Sequence, residues 1–322
     1  MASVNTSIEW TDATWSPVRG CSIVSKGCTN CYAMKQAHRF SGPGRAYEGL
    51  TKLTNGGPVW TGKVQLVPEL LAAPLHWRKP RRVFVNSMSD LFHEDVPDEF
   101  IDQVFAVMAL CPQHTFQVLT KRAERMRRYL TATKVLIEID SVSMLMLSKQ
   151  TEQTVVNLPR RDWPLPNVWL GVSCEDQATA DERIPVLLDT PAAVRFVSAE
   201  PLLAPVDLTP LLQIGTRGGD GIVRPDLSWL IVGGESGPGA RPCDVAWIRS
   251  IVAQCKAAGT AFVKQLGARP IWNGCAGPDE HWPAGTARVD SGHGYWDVRL
   301  RDRKGGDPSE WPADLRVREF PC

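Results

Sequence analysis

Three cysteines near the start of the chain are the residues whose types and spacing best suit chemistry. Six residues separate Cys21 from Cys28, and two separate Cys28 from Cys31. Thiolates are soft ligands that select zinc, copper(I) or iron–sulfur clusters, and a Cys-x-x-Cys pair directs two sulfurs toward one centre. Closed zinc sites take four protein ligands, whereas a cluster held by three cysteines keeps one position open for a substrate or cofactor. Because no fourth ligand stands beside these cysteines, the spacing favours an iron–sulfur cluster.

The residues leave a structural zinc site open as the alternative, with its fourth ligand supplied by His38 or by another cysteine. Disulfides are disfavoured, because three clustered cysteines cannot pair evenly and no secretory signal is evident. Gly20 and Gly27 each stand directly before a cysteine. Such glycines are expected where backbone wraps closely round a cluster whose sulfides accept amide hydrogen bonds.

Composition places few limits on function. The chain has 322 residues, enough for one large α/β barrel or two ordinary domains, and a formal net charge of +1. A charge near zero provides no global field for nucleic acid, so any basic surface must be local. With neither a signal peptide nor a long apolar stretch, we expect a cytoplasmic protein with no membrane partner. The nine cysteines then favour metal binding or chemistry over disulfides.

Short β-branched or aromatic runs recur along the chain, each followed by a polar cluster and then by an amphipathic stretch. Nearly continuous apolar strands separated by helices indicate a parallel sheet with covered faces. With a first strand at residues 14–20, these runs favour an α/β fold of the TIM-type barrel, complete or partial. The runs lie at residues 82–86, 116–120, 168–172, 194–198, 229–233 and 260–264.

The amphipathic stretches predict helices at residues 32–40, 68–77, 97–110, 122–130, 178–188 and 245–258. We expect a kink or break at Pro185. Residues 1–267 are predicted to form the barrel, with an insertion at about residues 131–166. The tail at residues 268–322 is rich in glycine, proline, tryptophan and charge, which predicts an irregular C-terminal cap with one strand at 295–300. Its recurring aromatics argue against disorder.

Polar side chains follow each of the runs, at the strand ends where a barrel of this type carries its catalytic groups. Any one of them is also an ordinary helix cap. Together, ringed carboxylates and cations can orient a zwitterionic or polar ligand. The Gly233-Gly234 pair would let a ligand approach bare backbone, and Glu235 could accept from an ammonium or a ribose hydroxyl. These strand-end residues include Ser87, Asp90, Lys121, Arg122, Cys174, Glu175, Glu200, Glu235, Lys264 and Gln265.

Several of these segments resemble known families. A cysteine triplet after the first strand, with Gly-Gly-Glu at a later strand end, resembles the radical S-adenosylmethionine superfamily. The whole sequence is more similar still to the phage and bacterial three-Cys-motif family, which has no firmly assigned function, and distantly similar to spore photoproduct lyase, a DNA-repair enzyme. The segments that carry the resemblance are residues 7–15, 27–33, 86–92, 117–122, 198–202 and 232–237.

The resemblance implies a 4Fe-4S cluster on Cys21, Cys28 and Cys31, with S-adenosylmethionine on the open iron. One-electron reduction would then cleave the sulfonium and release a 5′-deoxyadenosyl radical. It also implies an electron donor of the flavodoxin or ferredoxin type. The superfamily's cysteine spacing is three and two residues, so the spacing of six and two predicts a larger loop. The Gly-Gly-Glu segment, ending at Glu235, comes later than in the superfamily and nearer the position of its adenine-contacting motif.

On this basis most of the strand-end residues receive a predicted role. Cys174 is either a hydrogen-atom donor or a neutral replacement for an apolar residue, and the burial habit of free cysteine favours the second. The predicted catalytic residues are Glu200, Lys121, Lys264 and Cys174. The predicted cofactor-binding residues are Ser87, Asp90, Glu175, Gly233, Gly234 and Glu235.

Two classes of function follow from these residues. The first is a radical enzyme, with nucleic acid as a possible substrate through DNA repair or modification. The second is a non-catalytic, metal-stabilised module that binds nucleic acid or protein. Local basic runs and tryptophans such as Trp77 could contact phosphates and stack on bases, although basic runs are more often solvated faces. The basic runs are residues 76–82, 121–128, 160–161 and 299–304.

Overall fold

The computed structural model describes residues 2–151, 162–212, 227–256, 260–272, 282–283 and 286–321. The chain divides into two compact units. The first unit comprises Met1–Val24, Ala33–Gly171 and Asp189–Val194. The second unit comprises Ser25–Tyr32, Val172–Leu188 and Arg195–Cys322. Residue 268 falls inside the second unit, and the division expected there stays a prediction.

The first unit is built on a mostly parallel sheet. The strands of this unit are β1 (Ala2–Ser3), β2 (Ala13–Trp15), β3 (Val18–Arg19), β4 (Thr51–Thr54), β5 (Gly57–Trp60), β6 (Gln65–Leu66), β7 (Arg82–Val85), β8 (Thr115–Thr120) and β9 (Val168–Ser173), which runs on into the second unit. Strands β3 and β6 form one two-stranded sheet, and β4 and β5 form another. The main sheet has the order β1-β2-β7-β8-β9, with β2, β7 and β8 parallel and β1 antiparallel to β2. Trp15 and Phe116, whose ring centroids lie 5.8 Å apart, pack in its buried core.

Helices flank these strands as the amphipathic stretches predict. They are α1 (Tyr32–His38), which begins in the second unit, α2 (Asp98–Leu110), α3 (Ala123–Leu130) and α4 (Val135–Thr151). In α2, Asp98 and Glu99 occupy the first turn, where negative charge favours the helix dipole. The predicted insertion contains α4, a 17-residue helix packed on α2 that the sequence reading missed. None of the helices in the described ranges is long and apolar enough to cross a bilayer.

The helix predicted at residues 68–77 is replaced by two 3₁₀ turns, Pro68–Leu70 and Ala73–His76. Pro74 lies between the predicted ends of that helix, and its ring and missing N–H disrupt the i to i−4 pattern. The helix does not break at Pro185, because α5 (Gln177–Leu188) continues through it, and the kink stays a prediction.

The second unit contains a parallel sheet and a smaller mixed one. Its further strands are β10 (Val194–Ala199), which begins in the first unit, β11 (Trp229–Gly233), β12 (Cys243–Asp244), β13 (Thr260–Gln265), β14 (Pro270–Trp272), β15 (Ala287–Asp290) and β16 (Trp296–Arg299). Its other helices are α6 (Thr209–Leu212) and α7 (Val245–Cys255). Strands β10, β11 and β13 pair in parallel, and Trp229 packs between Phe196 and Phe262.

The predicted α/β class with a large, mostly parallel sheet is confirmed, as are all six predicted apolar strands. No pairing among the described strands closes a sheet into a barrel. The C-terminal cap is more regular than its composition indicates. There β14, β15 and β16 join β12 in a sheet of order β12-β14-β16-β15, and β16 confirms the strand expected at 295–300.

A close approach of two chain segments explains the paired glycines after β11. A Cβ atom on Gly234 would contact the carbonyl oxygen of Leu266, and it would lie 2.9 Å from the Cβ of Cys243 and 3.0 Å from the Cα of Gly267. The amide of Gly234 also donates to the carbonyl of Gln265 at 3.2 Å. The chain itself therefore fills the space that the sequence reading left for a ligand beside Gly234.

We expect Gly234→Ala to lower the free energy of unfolding by about 3 kcal/mol, because the added methyl group must displace backbone that is fixed by β13. Chemical denaturation monitored by circular dichroism measures the change. Gly56→Ala is the control, since a Cβ there meets only the Thr54 hydroxyl at 3.9 Å. Equal stability of the two variants would contradict the packing argument.

Candidate functional site

The Cys-x-x-Cys pair lies on one compact turn of the second unit. A 3₁₀ turn covers Lys26–Cys28, and the amide of Cys31 donates to the carbonyl of Cys28 at 3.2 Å. Helix α1 begins at the next residue, Tyr32. Cys28 is buried and Cys31 is half-buried. We call residues Ser25–Cys31 the cysteine turn.

Glu175, which follows β9, binds the beginning of this turn. Its side chain is fully buried. Its Oε1 accepts hydrogen bonds from the Ser25 hydroxyl and from the amide of Gly27, the latter at 3.1 Å. Its Oε2 accepts from Nη1 of Arg183 on α5 at 3.0 Å, and the same guanidinium donates to the carbonyl of Ser173 at 2.7 Å. A carboxylate that is buried away from water needs a counterion and hydrogen bonds to offset the loss of its hydration.

Glu235, which follows β11, contacts the other end of the turn. Its Oε2 accepts from Asn30 Nδ2 at 2.9 Å and from Nε of Arg241 at 3.0 Å. Its Oε1 accepts from Nη2 of Arg241 at 2.5 Å, which completes a two-pronged ion pair. Burial raises the pKa of Glu235, but the hydrogen bonds and charge of Arg241, with Asn30, outweigh it and hold the pKa below its usual value. Glu235 is therefore a carboxylate at neutral pH.

Glu200 and Lys264, both predicted to be catalytic, are brought together in the second unit. Nζ of Lys264 lies 3.0 Å from Oε1 of Glu200, and the Ser198 hydroxyl donates to Oε2 at 3.1 Å. Both side chains are only partly accessible, with Lys264 23% exposed and Glu200 13% exposed. The side-chain amide of Gln265 donates to the carbonyl of Gly234 at 2.8 Å, which joins the end of β13 to the segment that follows β11.

In the first unit, Arg122 is the centre of a buried polar network. Its Nη1 donates to Oδ2 of Asp90 at 2.9 Å, and its Nε donates to both oxygens of Glu94 at 3.0 Å. Asp90 also accepts from the Thr120 hydroxyl at 2.8 Å and 2.9 Å. Asp90, predicted to bind a cofactor, thus fixes the residues that follow β8 (Thr115–Thr120).

The same guanidinium reaches the first cysteine. Nη1 of Arg122 lies 3.9 Å from Sγ of Cys21, and Nη2 donates to the Ser22 hydroxyl at 2.7 Å. Burial would lower the pKa of Arg122, but Asp90, Cys21 and Glu94 raise it above its usual value. A permanently charged arginine beside the sulfur favours the thiolate, which is the form that binds metals.

Ser22 and His93 have the spacing of a nucleophile and its base, but the hydrogen bonds exclude that role. Nε2 of His93 lies 3.0 Å from the Ser22 hydroxyl. The amide of Asp95 donates to Nδ1 of His93 at 3.2 Å, which assigns the ring proton to Nε2. Burial and the charge of Arg122 lower the pKa of His93, so the ring is neutral. It therefore donates to Ser22 and has no lone pair there to accept a proton.

The other predicted residues, Ser87, Lys121 and Cys174, also lie near strand ends, and the backbone amide of Lys121 donates to Oδ2 of Asp90 at 3.3 Å. Ser87 and Lys121 are half-buried in the first unit, after β7 and β8. Cys174 is 1% exposed in the second unit, and its amide donates to the carbonyl of Ser198 at 2.9 Å. Such burial suits the neutral replacement that the sequence favours. The predicted roles of these residues stay predictions.

The sequence reading missed the arginines that partner two carboxylates. Arg183 lies on a helix that was predicted, but nothing in its spacing indicates that it turns inward to Glu175. Arg241 follows Glu235 by six residues, in a glycine-rich loop. This short separation indicates that the two residues lie near each other, but it does not predict that they form an ion pair.

The three cysteines suit an iron–sulfur cluster in donor type. None of the seven described cysteines forms a disulfide. Soft thiols that stay reduced are the ligands that such a cluster requires. In the parts of the chain that the structure describes, no set of three or more His, Cys, Asp or Glu side chains is grouped to hold a metal ion. The fit is therefore one of donor chemistry.

Comparison with known proteins places the chain in a family. Residues 5–283 match the family described as "Protein of unknown function (DUF5131)". The chain belongs to this DUF5131 family. No curated protein matches it. Among solved structures, this chain is similar to a cysteine-to-serine mutant of spore photoproduct lyase, with 11% sequence identity and a TM-score of 0.41. The similarity covers 94% of this chain and 72% of that chain. Membership of the three-Cys-motif family stays a prediction.

For this DUF5131 protein we expect Arg122→Met to lower the free energy of unfolding of the first unit by about 3 to 5 kcal/mol, because it removes the guanidinium that pairs with the buried Asp90 carboxylate. Denaturant titration measures the loss. In the control Arg127→Met, only the solvent-exposed pair with Glu124 is lost, and the free energy of unfolding should stay close to that of the wild type. A small effect of Arg122→Met would mean that Asp90 has another counterion.

The Glu235 pair predicts a particular pH dependence. A carboxylate whose pKa is lowered by folding stabilises the native state above its unfolded value, here the usual 4.5, and loses that contribution as pH falls through the lower folded pKa. The stability difference between the wild type and Glu235→Gln should therefore be constant near neutral pH and shrink below about pH 4.5. Thermal unfolding at a series of pH values measures it. A difference that grows on acidification would contradict the assignment.

Proposed function

We propose that the protein is an iron–sulfur enzyme of the radical S-adenosylmethionine type. The observation that carries this proposal is the set of cysteines with spacings of six and two residues, Cys21, Cys28 and Cys31. They are reduced thiols, two of them on a turn that buried hydrogen bonds fix and one beside Arg122. A donor set of three sulfurs suits a cluster with an open position better than a closed structural site.

When bound, a 4Fe-4S cluster would supply the electron that cleaves S-adenosylmethionine to a 5′-deoxyadenosyl radical. The chain's own residues would bind the cluster and orient the substrate. Cys21, Cys28 and Cys31 provide the thiolates, and the Arg122 guanidinium offsets negative charge at Cys21. The Lys264 and Glu200 pair offers one ammonium and one carboxylate for a polar substrate group, with Ser198 fixing the carboxylate.

Nucleic acid is the substrate class that we propose for this activity. Support comes from the exposed cations Arg299, Arg301, Arg303 and Lys304 in the second unit. Two of them, Arg299 and Arg303, line a surface depression of about 280 Å³. Lysine and arginine side chains on one surface are the usual phosphate contacts of such proteins. A reductant of the flavodoxin or ferredoxin type would deliver the electron. The basic pair at residues 160–161 lies outside the described residues.

Anaerobic reconstitution with iron and sulfide tests the proposal. We expect a brown protein with about four irons per chain, and 5′-deoxyadenosine when dithionite and S-adenosylmethionine are added. Cys28→Ala should abolish both. Cys255→Ala is the control, because this buried thiol lies on α7 outside the cysteine motif.

Two results would exclude the enzyme. An iron-loaded, reduced protein that makes no more 5′-deoxyadenosine than Cys28→Ala would remove the radical chemistry. Tightly held zinc, with no response to dithionite, would favour the non-catalytic metal-stabilised binding module instead.

A further inference from the structure

Other groups of the protein already donate hydrogen bonds to the carboxylate of Glu235. In addition to the three side-chain bonds described above, Oε2 accepts from the backbone amide of Arg241 at 2.9 Å. A carboxylate offers about four acceptor positions, and Arg241 and Asn30 together make four bonds to this one. Glu235 therefore has little capacity left for the ammonium group of a bound ligand, which is the role that its Gly-Gly-Glu context indicates.

Both partners of Glu235 belong to, or bind, the cysteine turn. Nη1 of Arg241 donates to the carbonyl of Lys26 at 3.0 Å, two residues before Cys28. Asn30 immediately precedes Cys31, and its Nδ2 also donates to the carbonyl of Gly239 at 3.1 Å. Arg241 thus joins the buried carboxylate to the backbone on one side of Cys28, and Asn30 joins it to the backbone beside Cys31.

We infer that Glu235, Arg241 and Asn30 form a latch that fixes the conformation of the cysteine turn, so that the Gly-Gly-Glu segment positions two metal-binding sulfurs and does not contact a cofactor. The metal-binding part of this inference rests on the proposed function. In the latch, Glu235 is a positioning residue that acts through Arg241 and Asn30.

Two further observations agree with a supporting role for this segment. A Cβ on Gly234 would overlap the carbonyl oxygen of Leu266, and a Cβ on Gly233 would lie only 3.0 Å from the carbonyl oxygen of Gln265. This packing fixes the backbone from which the Glu235 side chain extends. Glu175 holds the opposite end of the same turn through the amide of Gly27. The turn is therefore bound near both ends by buried carboxylates that follow strands.

The test uses the full-length, metal-free protein and the rate at which Cys28 and Cys31 are alkylated by iodoacetamide, read by peptide mass spectrometry. Glu235→Gln and Arg241→Lys each remove part of the latch while preserving side-chain size or charge. Loss of hydrogen bonds to charged groups should open the turn more often, so we expect alkylation of both cysteines to accelerate by at least about tenfold. Cys21 in the first unit should react at its wild-type rate.

Arg249→Lys is the matched control, because Arg249 pairs with Asp314 in the same unit and is equally exposed, at 30%. It should leave the alkylation rates of the turn unchanged. If Glu235→Gln unfolds the second unit, buried Cys255 becomes reactive as well, and Arg241→Lys then decides. After iron loading, the electron paramagnetic resonance spectrum of the reduced Arg241→Lys protein should differ from wild type, whereas that of Arg249→Lys should not.

Unchanged alkylation in both latch variants would overturn the inference. So would loss of S-adenosylmethionine binding in Glu235→Gln with no change in the turn, because Glu235 would then contact the cofactor directly. The alkylation assay needs no metal. A protein that never binds iron can therefore still show the latch while the proposed function fails, and a protein that forms the cluster with unchanged alkylation keeps the proposed function and loses the latch.

Discussion

Burial of carboxylates is the constraint on which the polar part of this structure depends. Glu175, Glu235 and Asp90 are each almost inaccessible to water, and a buried negative charge is tolerated only with a counterion and hydrogen bonds on its remaining lone pairs. Each has an arginine close by: Arg183, Arg241 and Arg122 respectively. Further hydrogen bonds to these carboxylates come from backbone amides, from hydroxyls and from the side-chain amide of Asn30. The need to satisfy these charges therefore determines which loop segments are fixed.

The cysteines lie on the segments that these networks fix. In the second unit, the donors for Glu175 and Glu235 include Gly27 and Asn30 of the cysteine turn. In the first unit, Arg122 contacts both the Asp90 carboxylate and the sulfur of Cys21. The same groups that satisfy buried charge thus hold the thiols in defined conformations. A metal site needs ligands that are pre-positioned, and groups that hydrogen-bond to the ligands or to their backbone hold them in place.

The strand-end residues are consequently of two kinds. Asp90, Glu175 and Glu235 each accept several hydrogen bonds from other protein groups, and these bonds fix the segments that carry the donors. The Glu200 and Lys264 pair differs, since it joins two charged side chains that are both partly accessible. A pair of opposite charges near solvent can exchange its internal contact for a substrate group at low cost. Glu200 thus differs from the other three carboxylates in being paired with a partly accessible lysine.

The sequence by itself determined the elements. Apolar runs and their spacing predicted β7, β8, β9, β10, β11 and β13, and amphipathic patterns predicted α2, α3, α5 and α7, because periodicity is a local property of neighbouring residues. It also identified the cysteines and the strand-end carboxylates by type. Only the tertiary structure decided what each carboxylate binds: Arg183 and Arg241 are six to eight residues from their partners, but Asn30 is 205 positions from Glu235. Which distant segments meet depends on the packing of the whole unit, so the role of a polar residue cannot be read from its position along the chain.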